Sequence, residues 1–190
     1  HDWGAAVAWF FAERCPTMTM TLTALSVGHP AALAAASRDD PDQQQRSRYI
    51  QLFLLEGKAE EVLAAEDFRR LKAMLSGGPN PGSMPRVVVE QFARSLSRPG
   101  RLTAALNYYR ANLSPSGGAW ERLADLGPIN TPTHLLWGDQ DQALGHRAVE
   151  ATAAYVRGEY RLEVLEGAGH WLEFERPAEV SRALTDRANR

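Results

Sequence analysis

The chain has 190 residues, of which 44% are hydrophobic and 23% are charged, and its formal net charge at pH 7 is −2. These values are ordinary for a globular domain, and they exclude a disordered tail, a fibre and a collagen. Because 21 basic residues are balanced by 23 acidic ones, neither a nucleic-acid groove nor a polybasic membrane anchor is favoured. The single cysteine, Cys15, excludes an internal disulfide and favours a reducing, cytoplasmic compartment.

The first thirty residues predict a helix followed by a strand. Gly4–Arg14 carries apolar residues without a breaker, which predicts a buried helix. Met18–Val27 is rich in Thr, Leu and Val, which predicts a strand, and residues 28–30 (Gly-His-Pro) end it. We assign residues 1–30 to an α/β core.

Residues 31–127 have a different amino-acid pattern, in which Ala, Arg, Glu and Leu recur at helical spacing between glycine- and proline-rich segments that break helices. This pattern predicts an all-helical insertion, or cap. The predicted helices are Pro30–Arg38, Pro41–Leu55, Ala59–Ala64, Asp67–Leu75, Arg86–Leu96 and Leu102–Asn112.

The α/β pattern returns over residues 128–190. Thr133–Gly138 and Tyr160–Leu165 are predicted strands, and each is followed by a predicted helix, over residues 145–156 and Pro177–Arg187 respectively. Strands that alternate with helices indicate a parallel sheet. The predicted fold class is therefore α/β, a mostly parallel sheet with flanking helices, interrupted by the helical cap.

Three polar residues stand at the positions where parallel sheets place chemistry. Asp2 precedes the first helix, Asp141 follows the strand Thr133–Gly138, and His170 follows the strand Tyr160–Leu165. An acid, a second acid and then a histidine is the order of a nucleophile, an orienting acid and a base.

Each residue also has a structural interpretation. Asp2 could be the N-cap of the helix that follows it. Asp139 and Asp141 could both be turn residues, and Asp139 is also the rival for the orienting acid. His170 could be a half-buried loop histidine. The ordered set favours the catalytic interpretation.

The segment His1-Asp2-Trp3-Gly4 resembles the nucleophile elbow of the α/β-hydrolase fold with Asp in place of Ser. Gly138-x-x-Asp141 and Gly169-His170-Trp171 are similar to the acid and base motifs of the same fold. The resemblance covers the whole chain and is to the soluble epoxide hydrolases and, with variations, to the haloalkane dehalogenases. The family's oxyanion motif (His-Gly-x-Pro) and early strands are absent from the sequence, so we expect an N-terminal part of the same polypeptide to be missing.

The resemblance also implies two functional tyrosines in the cap. Asn107-Tyr108-Tyr109-Arg110 resembles the cap motif of epoxide hydrolases, which gives the acid role to Tyr109. Arg48–Phe53 resembles the segment that supplies the other tyrosine, here Tyr49. A phenol with an ordinary pKa of about 10 can protonate a strongly basic alkoxide. The structural alternative is that both are amphipathic core tyrosines.

Together these residues predict an epoxide hydrolase of bacterial type that forms a covalent alkyl ester on Asp2. Water activated by His170 and Asp141 would hydrolyse the ester to release a vicinal diol, with the backbone N–H of Trp3 as one oxyanion donor. Trp3 and Trp171 are expected to line the substrate cavity. The predicted partners are a small hydrophobic epoxide and water, with no cofactor, no metal, no nucleic acid and no membrane, and a homodimer is left open.

Two other functions use the same fold. A haloalkane or haloacid dehalogenase would use the same Asp2 nucleophile, with Trp3 as one halide donor. A non-catalytic binding protein could retain the fold without the reaction. Turnover of epoxides or release of halide distinguishes these three functions.

Overall fold

The structure is a computed structural model that describes residues 1–77, 83–114 and 123–188. Its contacts divide the chain into two compact units, one formed by His1–Arg46 with Leu123–Arg190 and the other by Ser47–Arg122. Residues 78–82 and 115–122 of the predicted cap lie outside the described residues.

Helices and strands alternate at both ends of the chain, and helices fill the described part of the middle. The strands are β1 (Leu22–Leu25), β2 (Thr133–Gly138) and β3 (Tyr160–Leu165). The α-helices are α1 (Trp3–Arg14), α2 (Pro30–Asp39), α3 (Pro41–Arg46), α4 (Tyr49–Phe53), α5 (Lys58–Leu75), α6 (Arg86–Leu96), α7 (Arg101–Leu113), α8 (His146–Ala151), α9 (Leu172–Glu175) and α10 (Pro177–Ala188).

The strands of the first unit form a parallel sheet in the order β1-β2-β3, as the alternation of elements predicts. Leu22 pairs with Thr133, and Thr133 pairs with Tyr160, so the three strands start in register. Every residue of the central strand β2 is buried. Because the strands are parallel, the turns that follow them lie at one edge of the sheet.

Two apolar clusters cover opposite faces of this sheet. Leu135 and Trp137 pack with Trp9 of α1, which is fully buried and whose indole N–H donates to the carbonyl of Val27 at 3.1 Å. Leu136 points to the other face, where it packs with residues from β3, α9 and α10. Side chains alternate across a strand, so consecutive residues of β2 serve both clusters.

The second unit packs its helices around an apolar cluster of its own, and Tyr49 and Tyr109 lie against that cluster. The buried members of the cluster are Phe53, Ala59, Leu63, Leu71 and Leu106. The backbone of α5 is non-helical from Ala65 to Phe68, which matches the two separate helices predicted there.

Two predicted elements are wrong in extent. The strand predicted over Met18–Val27 is limited to Leu22–Leu25, because a 3-10 helix that begins at Pro16 occupies Pro16–Met18. The helix predicted over Pro41–Leu55 is two helices, α3 and α4, separated by a turn.

The two halves of that predicted helix are buried in different units. Gln43 of α3 is fully buried, donates to the carbonyl of Ala143 at 2.9 Å and accepts the amide of Gly145 at 2.8 Å. Phe53 of α4 is buried in the cluster of the second unit. Residues 31–46 therefore pack with the first unit, and the compact helical unit is shorter than the proposed cap of residues 31–127.

Gly138, the last residue of β2, allows the turn after β2 to lie against the turn after β3. A Cβ atom at this position would collide with the backbone carbonyls of Ala168 and Gly169, which precede His170. Only glycine allows the end of β2 to approach the next turn this closely. The approach places the segment that carries Asp141 against the segment that carries His170.

We expect Gly138→Ala to lower the free energy of unfolding by roughly 1–3 kcal/mol, because the added methyl meets backbone atoms and forces them apart. Gly4→Ala is the matched control, since its Cβ would meet nothing within 4 Å and alanine is favoured in a helix. Urea denaturation of both variants measures the difference. Equal stability of the two variants would contradict the close approach at Gly138.

Candidate functional site

Asp2 lies in a strained turn directly before α1. Its backbone has φ 52° and ψ −127°, a conformation that residues other than glycine rarely adopt. Asp2 stands at the N-cap position of α1, but its side chain makes no capping hydrogen bond there. The side chain is half-buried, and one of its carboxylate oxygens faces the ring of His170.

The structure brings Asp2, Asp141 and His170 together. Nδ1 of His170 donates to Oδ2 of Asp141 at 2.9 Å, and Nε2 of the same ring lies 3.4 Å from Oδ1 of Asp2. His170 is 7% exposed and Asp141 is fully buried. Asp139, the rival acid, accepts the amide of Gly167 at 2.8 Å instead.

The Asp141 carboxylate is fixed by the backbone that follows it. Its Oδ1 accepts the amides of Ala143 at 2.7 Å and Leu144 at 3.0 Å, which leaves Oδ2 for His170. Its carbonyl oxygen accepts a hydrogen bond from Arg46 of α3. Sequence analysis missed Arg46 and Gln43, because both lie in a segment that was assigned to the cap.

The backbone of His170 is held on both sides. The amides of Gly169 and Trp171 donate to the Glu175 carboxylate at 2.7 and 3.1 Å. The carbonyl oxygen of His170 accepts the hydroxyl of Ser26 at 2.8 Å, and Ser26 is fully buried with φ 67°. Sequence analysis missed Ser26 and Glu175. An acid five residues after the histidine was the available signal.

The charges of the three groups depend on one another. Burial lowers the pKa of His170, but the carboxylates of Asp141 and Asp2 outweigh burial and raise it to about 10. Burial raises the pKa of Asp2, but His170 and the Trp3 amide outweigh it and hold the pKa below its ordinary value. At neutral pH an imidazolium therefore lies between two carboxylates.

Trp3 and Trp171 flank this cluster in different ways. The backbone N–H of Trp3 helps to hold the pKa of the Asp2 carboxylate below its ordinary value. The Trp171 ring lies edge-on to the His170 ring with their centroids 5.1 Å apart. Trp171 therefore contributes apolar surface beside the imidazole.

Tyr49 and Tyr109 are neighbours within the second unit. Their ring centroids are 6.1 Å apart at an interplanar angle of 78°, and Phe53 lies edge-on to both. Arg110 joins their helices, because its Nε donates to the carbonyl of Phe53 at 3.1 Å. Tyr108 is 57% exposed, as expected for a residue on another face of α7.

Within residues 1–77, 83–114 and 123–188, no group of three or more His, Cys, Asp or Glu side chains could hold a metal ion. No helix in the same ranges is both long and apolar enough to span a bilayer.

Known proteins with similar sequences and structures carry the name epoxide hydrolase. Epoxide hydrolase 3 of Xenopus tropicalis is 35% identical over 191 residues, which cover 98% of this chain and 50% of that protein. Epoxide hydrolase A of Mycobacterium tuberculosis is 30% identical over 98% of this chain and 66% of its own length. The crystal structure of epoxide hydrolase A from Mycobacterium thermoresistibile has a TM-score of 0.75 at 28% identity, over 98% of this chain and 67% of that one.

This chain spans about half the length of the first curated relatives that it matches. Residues 1–183 match the model of the alpha/beta hydrolase family, so the match includes the parallel sheet, the helical unit and the Asp2–His170–Asp141 cluster. The chain therefore belongs to the α/β-hydrolase family.

Proposed function

We propose that this protein is an epoxide hydrolase that converts a small hydrophobic epoxide to a vicinal diol through an alkyl ester on Asp2. The observation that carries the proposal is the Asp2 carboxylate on its strained turn, whose Oδ1 lies 3.4 Å from Nε2 of a histidine that is hydrogen-bonded to a buried acid. The names of the relatives support the same reaction.

In the first half of the reaction, an oxygen of Asp2 attacks a ring carbon and the epoxide C–O bond breaks. The lowered pKa of Asp2 keeps the attacking carboxylate ionised. The ring oxygen leaves as a basic alkoxide, so it needs a proton donor that is neutral at pH 7. Tyr49 and Tyr109 supply this donor, and their adjacent rings in the second unit support a paired role.

Formation of the ester removes the negative charge of Asp2, which is one of the two charges that hold a proton on His170. The pKa of His170 falls and the imidazolium releases its proton. This proton restores the tyrosine that was left as a phenolate when it protonated the opened epoxide oxygen. The histidine thus becomes a base only after the ester has formed.

In the second half, neutral His170 takes a proton from water while the water oxygen attacks the ester carbonyl. The backbone N–H of Trp3 stabilises the resulting oxyanion. Cleavage of the acyl C–O bond releases the diol and restores the Asp2 carboxylate. His170 is then an imidazolium again, so the cycle closes with one water consumed.

Asp2→Asn imitates the loss of charge that accompanies ester formation. We expect it to lower the pKa of His170 by roughly one to three units, because one neighbouring carboxylate is lost. NMR titration of the His170 ring measures the pKa. Asp139→Asn is the matched control, since this carboxylate bonds the amide of Gly167, and an equal effect of both substitutions would contradict the coupling.

His170→Gln is expected to trap the alkyl ester, because the first half of the reaction proceeds while the base for the second half is missing. Mass spectrometry after mixing with styrene oxide or an aliphatic epoxide should show an increase equal to the mass of the epoxide, located on the peptide that contains Asp2. The double variant with Asp2→Asn serves as the control and should gain no mass. A protein without adduct across a range of epoxides would refute the proposed function.

Tyr49→Phe and Tyr109→Phe are each expected to slow ester formation from epoxides by roughly 100- to 1,000-fold, the range seen when one donor to a developing oxyanion is lost. Rapid-quench measurement of ester formation tests this. Tyr108→Phe is the control, because that side chain is largely exposed. Halide release from haloalkanes that is insensitive to both substitutions would favour a dehalogenase instead.

A further inference from the structure

The side chain of His1 connects the turn of the nucleophile to the turn of the base. Its Nε2 lies 2.8 Å from the carbonyl oxygen of His170, and its Nδ1 lies 3.3 Å from Oε1 of Glu173. The His1 ring also lies 4.7 Å from the His170 ring and 5.2 Å from the Trp171 ring, measured between centroids. The ring is thus fixed by two polar contacts and two ring contacts.

We propose that His1 and Glu173 act as a positioning pair that holds His170 in place for the hydrolysis of the ester. The proposal rests on the function proposed above. It gives a role to His1, which lies beside the nucleophile, and to the carboxylate of Glu173, which takes no part in the bond changes of the reaction.

The contacts define which His1 nitrogen carries the proton. A carbonyl oxygen can only accept a hydrogen bond, so Nε2 of His1 must carry the hydrogen that points to His170. Nδ1 then shares a proton with Glu173, either as an imidazolium facing a carboxylate or as a neutral ring facing a carboxylic acid. Burial raises the pKa of Glu173, which favours retention of that proton.

Glu173 therefore sets the orientation and tautomer of the His1 ring. A ring flipped by 180° would turn Nε2 away from the His170 carbonyl, and a neutral ring with its hydrogen on Nδ1 would have no donor at Nε2. Both arrangements would remove the hydrogen bond from His1 and leave the Ser26 hydroxyl donating to the His170 carbonyl.

The pair matters most after the ester has formed. Before that step, opposite charges attract His170 to Asp2, and the two groups lie 3.4 Å apart. Ester formation abolishes this attraction at the stage when the imidazole must be aligned with water and the ester carbonyl. The hydrogen bond from His1 is independent of the charge of Asp2, and His1 is the residue directly before Asp2.

The test compares Glu173→Leu with Glu173→Gln in rapid-quench measurements of ester formation and ester decay. We expect Glu173→Leu to slow ester decay roughly 10- to 100-fold, the effect of a misplaced catalytic group, while ester formation changes less than about twofold. Glu173→Gln should restore most of the decay rate, because its amide N–H can donate to Nδ1 of a neutral His1 ring.

The matched control is Glu150→Leu. His146 and Glu150 form a pair of the same residue types at the same 3.3 Å, but both side chains are about three-fifths exposed (61% and 59%) and lie on α8. This substitution should leave both half-reactions unchanged. Equal slowing of both half-reactions by Glu173→Leu, or no slowing of either, would overturn the proposed role.

A second readout does not depend on activity. The ring nitrogen chemical shifts of His1, measured by ¹⁵N NMR, should show a hydrogen on Nε2 in the parent protein and in the Glu173→Gln variant. In the Glu173→Leu variant the hydrogen should no longer be held on Nε2. If the neutral His1 ring of the parent protein carries its hydrogen on Nδ1 and not on Nε2, the proposed pair is refuted by the parent protein alone. If no ester forms in any protein, the proposed function fails, whereas the NMR result still decides whether the pair exists.

Discussion

The arrangement of the site depends on one electrostatic constraint, an imidazolium enclosed by two carboxylates. Asp141 is buried and takes no part in the bond changes of the proposed reaction, whereas the proposed ester removes the charge of Asp2. The pKa of His170, about 10 with both charges present, therefore depends on the state of the nucleophile. This dependence keeps the base protonated and inactive until a substrate is attached, which follows from the proposed chemistry and needs no movement of the protein.

The sheet provides the geometry that this constraint requires. The turns after β1, β2 and β3 carry Ser26, Asp141 and His170, and parallel strands bring these turns to one edge. Gly138 allows the second and third turns to touch, and helix α3 anchors the second through Gln43 and Arg46. The Ser26 hydroxyl and the Asp141 carboxylate are thus held by backbone atoms, and the His170 ring is held in turn by Asp141.

The sequence predicted the parts of the fold that local patterns determine. The bounds of β2, β3 and α6 agree with the structure, because β2 is a short, largely apolar run, β3 alternates apolar with charged residues and α6 is amphipathic. The break within residues 41–55 was not predictable, because it depends on Gln43 bonding residues about 100 positions away. Asp139 and Asp141 follow the same strand; the spacing from Gly138 favours Asp141, and hydrogen bonding in the structure separates the two. The roles of Tyr49 and Tyr109 remain predictions from resemblance, supported by the proximity of their rings.

The central claim is that water attacks the ester carbonyl of Asp2 and never the carbon of the epoxide. A single turnover in H₂¹⁸O, with enzyme in excess over epoxide, tests it directly, because the two routes place the heavy oxygen in different molecules. We predict a diol without ¹⁸O and a peptide in which one oxygen of the Asp2 carboxylate is ¹⁸O in place of ¹⁶O. A diol that contains ¹⁸O after the first turnover, with an unlabelled Asp2 peptide, would contradict it.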